Sequence, residues 1–269
     1  MKLGSAVVLI TGAAGGLGTA TAHRLAVSGA SLLLADRAHA PLEALCDRLR
    51  QRGTRVCYLA GDIGDAADRA QLVERARSWN GGINVLVNNA GLSDFAFLPQ
   101  QEEARIEALL RINVLAPVLL CRALLPHLAG LPEAHVVNMG SIFGSIGYAG
   151  YAPYSASKFA LRGFTEAMRR ECADGPVRFH YVAPRAARTA LNSEAVCAMN
   201  EALGVRMDPP EAAAEAVARA LEQDRAEAYL GWPEKLFVRI NSVLPGLVDA
   251  ALRKQLSVIR HHALNPDLK

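Results

Sequence analysis

A chain of 269 residues, 51% hydrophobic and 20% charged, has the composition of a folded globular protein and the length of one large α/β domain. A formal net charge of +3 without a long basic run excludes nucleic acid as an expected partner. No stretch reaches the ~18 uninterrupted apolar residues of a membrane span.

Five widely spaced cysteines (Cys46, Cys57, Cys121, Cys172 and Cys197) contain no Cys-x-x-Cys pair. They read as reduced thiols of a cytoplasmic protein, without a disulfide frame or a metal site. Residues 6–10 are wholly apolar and end at a glycine loop, as a strand buried on both faces should, so the N-terminus reads as a strand and not a signal peptide. The loop, Thr11-Gly12-Ala13-Ala14-Gly15-Gly16-Leu17-Gly18, opens a helix over 19–27 that stops at Ser28-Gly29. Strand, glycine loop and helix make a phosphate cradle: glycines let backbone approach a pyrophosphate, and a helix N-terminus offers free N–H groups and a positive dipole end. A tight turn without a ligand uses glycines too, but the position between buried strand and helix favours the phosphate.

Residues 31–35 form a second buried strand with Asp36 at its end, about 20 positions past the loop, where an adenosine ribose would present its hydroxyls. Asp36 would accept from those hydroxyls and repel a 2′-phosphate, so NAD(H) is favoured over NADP(H), with the adjacent Arg37 as the one group able to reach a phosphate. A helix over 41–50 and a strand over 55–60 lead to Asp62-Ile63. A helix over 66–79 ends at Asn80-Gly81-Gly82, and a strand over 83–87 runs into Asn88-Asn89-Ala90-Gly91. One long helix over 102–128 carries Asn113 in apolar surroundings, either as a satisfied core amide or as a polar group facing a site. A strand over 135–138 ends at Gly140-Ser141, a helix reaches about residue 172, and a strand over 177–182 ends at Pro184. A polar stretch with Arg185, Arg188 and Arg206 precedes a helix over 210–221 and a short strand over 226–230. Alternating strands and helices predict a single doubly wound, Rossmann-type, mainly parallel sheet of about seven strands, with ligands at the strands' carboxyl ends. Residues 1–232 form this domain, and 233–269 a C-terminal helical extension of it.

Tyr154 and Lys158 are four residues apart on a helix and so share a face. A lone phenol titrates near ~10, and a fixed cation beside it favours the phenolate. That is how a tyrosine becomes an acid/base for a hydroxyl proton.

Together, Thr11-Gly12-x-x-x-Gly16-x-Gly18, Asp62, Asn88-Asn89-Ala90-Gly91, Asn113, Ser141 and Tyr154-x-x-x-Lys158 resemble the short-chain dehydrogenase/reductase family, in family order. The resemblance implies an NAD(P)-dependent enzyme that interconverts alcohol and carbonyl by hydride transfer. Tyr154 would be the catalytic acid/base. Lys158 would lower its pKa and bond the nicotinamide ribose, Ser141 would hold the substrate oxygen, and Asn113 would position a water leading to Lys158. Gly12, Gly16, Leu17 and Gly18 would line the pyrophosphate, Asp62 and Ile63 the adenine, and Asn89, Ala90 and Gly91 the cofactor's flank. Pro184 and Thr189 would meet the nicotinamide end. The family usually forms dimers or tetramers through the helices of Asn113 and Tyr154, so a homodimer or homotetramer is expected.

Three residues depart from the family pattern. Ala183-Pro184-Arg185 stands where Asn-Pro-Gly is frequent, and Gly140 stands where a second serine is frequent. Arginine does not replace glycine where φ is positive, so the loop after Pro184 is expected to take its own course. A sugar-nucleotide epimerase or dehydratase would use the same Tyr/Lys pair but resembles longer chains, and a non-catalytic dinucleotide sensor tends to lose the tyrosine or the lysine. Ile142, Phe143, Ile146, Tyr148 and Tyr151 supply a lipophilic wall for the substrate.

In the tail, Leu236, Ile240, Val243, Leu244, Leu247, Val248, Ala251, Leu252 and Leu256 recur at helical spacing. A break is expected at Pro245-Gly246. With Lys235, Arg239, Arg253, Lys254 and Arg260, the segment 233–260 is expected to cap a hydrophobic substrate pocket and to touch an anionic membrane weakly.

Overall fold

The computed structural model describes residues 1–189 and 191–264. Seven parallel strands form one sheet in the order β3-β2-β1-β4-β5-β6-β7. They are β1 (Val7–Thr11), β2 (Ser31–Asp36), β3 (Val56–Ala60), β4 (Val85–Asn88), β5 (Ala134–Met139), β6 (Val177–Ala183) and β7 (Glu227–Tyr229). Their apolar runs are continuous because both faces of the sheet are covered. Val8, Ile10, Leu32, Leu34, Val85 and Val87 pack into one core, whereas Leu9, Leu33 and Leu86, one residue out of phase, pack into the other. Each such side chain, once fully buried, contributes on the order of 1.5–3 kcal/mol.

The first core lies under α1 (Gly16–Val27), α2 (His39–Gln51) and α8 (Pro210–Gln223), and the second under α3 (Ala66–Ser78), α5 (Ala116–Ala129) and α6 (Ala152–Glu171). Helix α1 begins three residues before the expected Thr19, because Gly15 caps it and the glycine loop itself makes its first turn. The expected long helix over 102–128 is α4 (Glu103–Leu110), a π-helical turn (Arg111–Leu115) and α5. By length and composition the run Glu103–Ala129 is apolar enough to cross a bilayer. Here Ala116, Leu120, Leu124 and Leu128 are instead completely buried against the sheet.

Helix α7 (Glu194–Ala202) falls in the polar stretch after β6, where no element is expected, with the Ser193 hydroxyl capping its start by accepting from Val196 N at 3.3 Å. The tail breaks before Pro245, as expected, and again at Lys254-Gln255, giving α9 (Glu234–Val243), α10 (Pro245–Arg253) and α11 (Leu256–Leu264). These breaks split the expected apolar face. Val238, Val248 and Ile259 are buried, but Leu236, Val243, Leu244 and Leu247 stay exposed.

Away from the strands' carboxyl ends, His135 and His180 are buried on β5 and β6. His135 Nδ1 lies 2.8 Å from His180 Nε2 with the ring planes 13° apart, a separation too short for stacked faces, so the rings meet edge to edge. His180 Nδ1 bonds the Arg225 carbonyl at 2.8 Å, and His135 Nε2 lies 3.3 Å from the Glu133 carboxylate. Asp224 is close enough to complete a metal-sized group with the two rings. The imidazole nitrogens, however, point at each other and share a hydrogen, and do not converge on a common point.

Candidate active site

The strand order reverses between β1 and β4, which opens a crevice at their carboxyl ends. Two cavities fill it, of about 270 Å³ and about 340 Å³, sharing Leu17, Asn89, Gly91, Leu92, Thr189 and Leu191 as their common wall.

The smaller cavity is built mainly from backbone. Gly12 has φ +64°, and a Cβ there would stand 2.7 Å from Ala90 Cα; one on Gly18 would stand 2.1 Å from Gly12 O. Glycine at these points draws the loop tight against β4, while the first N–H groups of α1 have no partner inside the helix. Thr11 Oγ1 accepts from the N–H groups of Asn89 and Ala90, each at 3.1 Å, and Asn89 Nδ2 donates to Thr11 O and Gly12 O, each at 3.0 Å. Asn89 Oδ1 is buried without a partner among the described residues. Asp36 Oδ2 accepts from Ala14 N at 3.0 Å and Oδ1 from Arg37 N at 2.7 Å, so its carboxylate is pinned at the rim. Asp62 Oδ1 accepts from Gly64 N at 2.8 Å. Gly12, Gly16, Leu17, Gly18, Asp36, Arg37, Asp62, Ile63, Asn89, Ala90, Gly91 and Thr189 all line this cavity. Free helix N–H groups at one end and a fixed carboxylate at the other fit a dinucleotide.

The larger cavity carries the side-chain chemistry. Ser141, Tyr154, Lys158 and Pro184 line it beside Ile142, Phe143, Ile146, Tyr148 and Tyr151. Helix α6 starts with Pro153 in its first turn, where a missing N–H costs nothing, and sets Tyr154 and Lys158 on the face turned to β5. The Lys158 ammonium donates to Met139 O at 2.9 Å and lies 5.7 Å from the Tyr154 ring centroid. Burial brings Lys158 down to about 8. Burial also raises the Tyr154 phenol, and the Ser141 hydroxyl works against that rise. The lowering of Tyr154 implied by the resemblance is therefore outweighed here by desolvation.

Asn113 lines neither cavity. From the π-helical turn its Oδ1 accepts from Leu92 N at 2.8 Å, and its Nδ2 donates to Leu92 O at 2.9 Å and to Ser157 Oγ at 3.0 Å. Its side chain is thus fully hydrogen-bonded, and it ties the loop after β4 to α6. It still stands close to Lys158: a Cβ on Gly91 would lie 3.4 Å from Asn113 Oδ1 and 3.6 Å from Lys158 Nζ.

Two further residues shape the site. Tyr181 on β6 donates to Ser141 O at 3.2 Å and accepts from Ser141 N at 3.3 Å, holding the backbone of the serine. A Cβ on Gly140 would stand 2.1 Å from the Tyr181 ring, so glycine replaces the frequent serine because this tyrosine occupies the space. A phenol amid a buried strand was the available signal. Arg185 takes no positive φ. Its guanidinium forks onto Asp208 at 2.6 and 2.8 Å and reaches Glu234 at 3.2 and 3.3 Å.

A glycine-built phosphate cradle opening onto a Ser/Tyr/Lys pocket defines a dinucleotide-dependent oxidoreductase acting between alcohol and carbonyl. The chain belongs to the short-chain dehydrogenase family, whose model matches residues 6–200. It is 31% identical over 267 residues to the uncharacterized oxidoreductase YxnA of Bacillus subtilis (strain 168), covering 97% of this chain and 75% of that protein. It is 32% identical over 232 residues to cis-4-hydroxycyclohexanecarboxylate dehydrogenase of Sinomonas cyclohexanicum, covering 84% and 92%. Among solved structures, a short-chain dehydrogenase/reductase of Burkholderia phymatum in complex with NAD superimposes with TM-score 0.83 at 25% identity, covering 92% and 96%. A short-chain dehydrogenase of Sphingobium yanoikuyae in complex with NADPH gives 0.78 at 26%, covering 91% and 95%.

Proposed function

We propose that the protein uses NAD(H) in preference to NADP(H) and interconverts a bulky lipophilic carbonyl compound with its alcohol. The observation that carries this is the larger cavity, in which Ser141, Tyr154 and Lys158 face aromatic and aliphatic side chains from the segment between β5 and α6, from α7 and from the tail, with Asn200, Arg185, Glu234 and Gln255 as further polar lining. The dinucleotide, when bound, supplies or takes up the hydride. Tyr154, kept as a neutral phenol by burial, donates its proton to the carbonyl oxygen in reduction and recovers it in the reverse direction. Ser141 Oγ already accepts from Phe143 N at 3.1 Å, which leaves its own hydrogen for the substrate oxygen. Buried Lys158 favours an ionised Tyr154 electrostatically while the proton is away.

The cofactor preference rests on Asp36. Two backbone N–H groups hold its carboxylate at the rim, which opposes its turning aside to let Arg37 take a phosphate. Leu110, Leu115 and Phe159 are exposed on the two long helix runs, which supports association of copies through those helices. The test is an assay with NADH or NADPH against carbonyls graded in size and apolarity. Expected is a kcat/KM at least ~10-fold higher with NADH, rising with substrate apolarity. A higher value with NADPH, or a preference for small polar carbonyls, overturns the corresponding half.

A further inference from the structure

The substrate cavity is closed by the tail, which packs Val238, Val248 and Ile259 against the segment before α6 and against α7, and which has few polar ties to the rest of the chain. Asn241 Nδ2 donates to Ser145 O at 2.9 Å, and Tyr148 OH donates to Gln255 Oε1 at 2.8 Å. The third tie is ionic. Arg185, directly after β6, joins Asp208, which precedes α8, to Glu234, the first residue of α9. Its side chain is 12% exposed, and those of Asp208 and Glu234 are 19% and 24% exposed, so the three charges are largely sheltered from water. The aliphatic stem lies against Gly231, whose φ of +92° turns the chain toward α9; a Cβ there would stand 2.6 Å from Arg185 Cδ.

We infer that Arg185 is a positioning residue for specificity: through Asp208 and Glu234 it latches α9 over the cavity and so sets the preference for bulky apolar carbonyls. This rests on the lipophilic reading of the cavity. The reasoning is geometric. Arg185, Pro233 and Glu234 line the same cavity as Tyr154, and Phe237, one helical turn beyond Glu234, lines it too. A planar fork satisfied by one carboxylate fixes the direction of the remaining N–H toward the second. A glycine at 185 would provide no such link, leaving the Glu234 end of α9 without its ionic tie and the helix held by Val238 in its apolar cluster, by Asn241 and by the more distant Gln255.

Glu234→Gln removes the charge at the lid end while keeping size, and Arg185→Gly removes the latch entirely. Three readouts apply: the ratio of KM for a bulky apolar carbonyl to KM for a small one, cleavage by trypsin at the exposed Lys235 and Arg239, and melting temperature as a check on folding. Expected for Glu234→Gln is a KM ratio raised ~10-fold with kcat little changed, and faster tryptic cleavage at α9. Arg185→Lys, which keeps the charge but loses the fork, should fall between wild type and Arg185→Gly. Unchanged cleavage in both charge-removing variants overturns the latch whatever the substrate is. Faster cleavage with an unchanged KM ratio overturns its role in specificity, and the graded carbonyl assay on wild type then shows separately whether the apolar reading of the cavity fails.

Discussion

The two cavities share a wall but are made in different ways. The dinucleotide cavity is assembled from short segments at the carboxyl ends of β1 to β4, and its key positions are glycines and backbone N–H groups. The substrate cavity is assembled from the segment between β5 and α6, from α6, α7, the loop after β6 and the tail helices α9 and α10 with Gln255, and its surface is mostly side chain. Backbone geometry tolerates almost no substitution, as the would-be Cβ of Gly18 against Gly12 O shows. A wall of apolar side chains can be repacked one residue at a time. The first kind of site keeps one ligand; the second is where selectivity is free to move.

The sharpest cut between them is Tyr154→Phe. Removing one hydroxyl at the junction should lower kcat by ~10²–10⁴-fold or more while dinucleotide affinity stays within about two-fold. Fluorescence titration with NADH alongside steady-state rates checks both. A parallel fall in dinucleotide affinity would mean that the cavities are not separable.

The same division explains what could be read from the chain. Gly12, Gly16, Gly18 and Asp36 act within local strand-loop-helix units, so the order of elements pointed to them, whereas Asn89, whose partners Thr11 and Gly12 are 78 and 77 residues away, came only with the resemblance. Tyr154 and Lys158 share a helix face, which is also local. Tyr181 and Arg185 escaped because their partners, Ser141, Asp208 and Glu234, are 40, 23 and 49 residues away. The role of Gly140 could not be seen without Tyr181 beside it. Helix α7 was missed because only Ala195, Val196, Met199 and Asn200 of its nine residues are buried, too little for a periodic signal. In the tail the breaks were partly legible, but the orientation of each piece was not. Spacing ranked Leu236, Leu244 and Leu247 with Val248, whereas packing buries only Val248.

That outward-facing remainder provides the smallest expected effect. Trp232, Leu236, Val243, Leu244 and Leu247 are exposed next to the exposed cations Lys235, Arg239, Arg253 and Lys254. We propose that this face touches anionic bilayers weakly, consistent with an interfacial amphipathic helix. Vesicles rich in anionic lipid should co-sediment a minor fraction of the protein at low salt. Leu244→Glu with Leu247→Glu should abolish this without altering NADH affinity. No sedimentation of wild type at low salt removes the membrane from consideration and leaves the tail as a lid alone.

The edge-to-edge histidines impose a shortage. From the Glu133 carboxylate through His135 and His180 to the Arg225 carbonyl there are contacts at 3.3, 2.8 and 2.8 Å, each needing one hydrogen. Two neutral imidazoles bring two hydrogens, so one contact always goes without. The inner contacts are sealed, which places the deficit at Glu133, whose side chain is 55% exposed and reachable by water. A third proton would complete the line, but burial opposes it, bringing His180 down to about 4 and lowering His135 as well. Both folded values lie below the ordinary imidazole value of about 6.5, so the unfolded chain takes up protons first as acid is added. The folded state should therefore hold its full stability above pH ~6.5 and lose up to roughly 3 kcal/mol toward pH ~4, the consequence of the His180 shift alone. Denaturant unfolding across that range should show the slope, and His180→Gln should flatten it; an equal slope in the variant would assign the acid sensitivity to other groups.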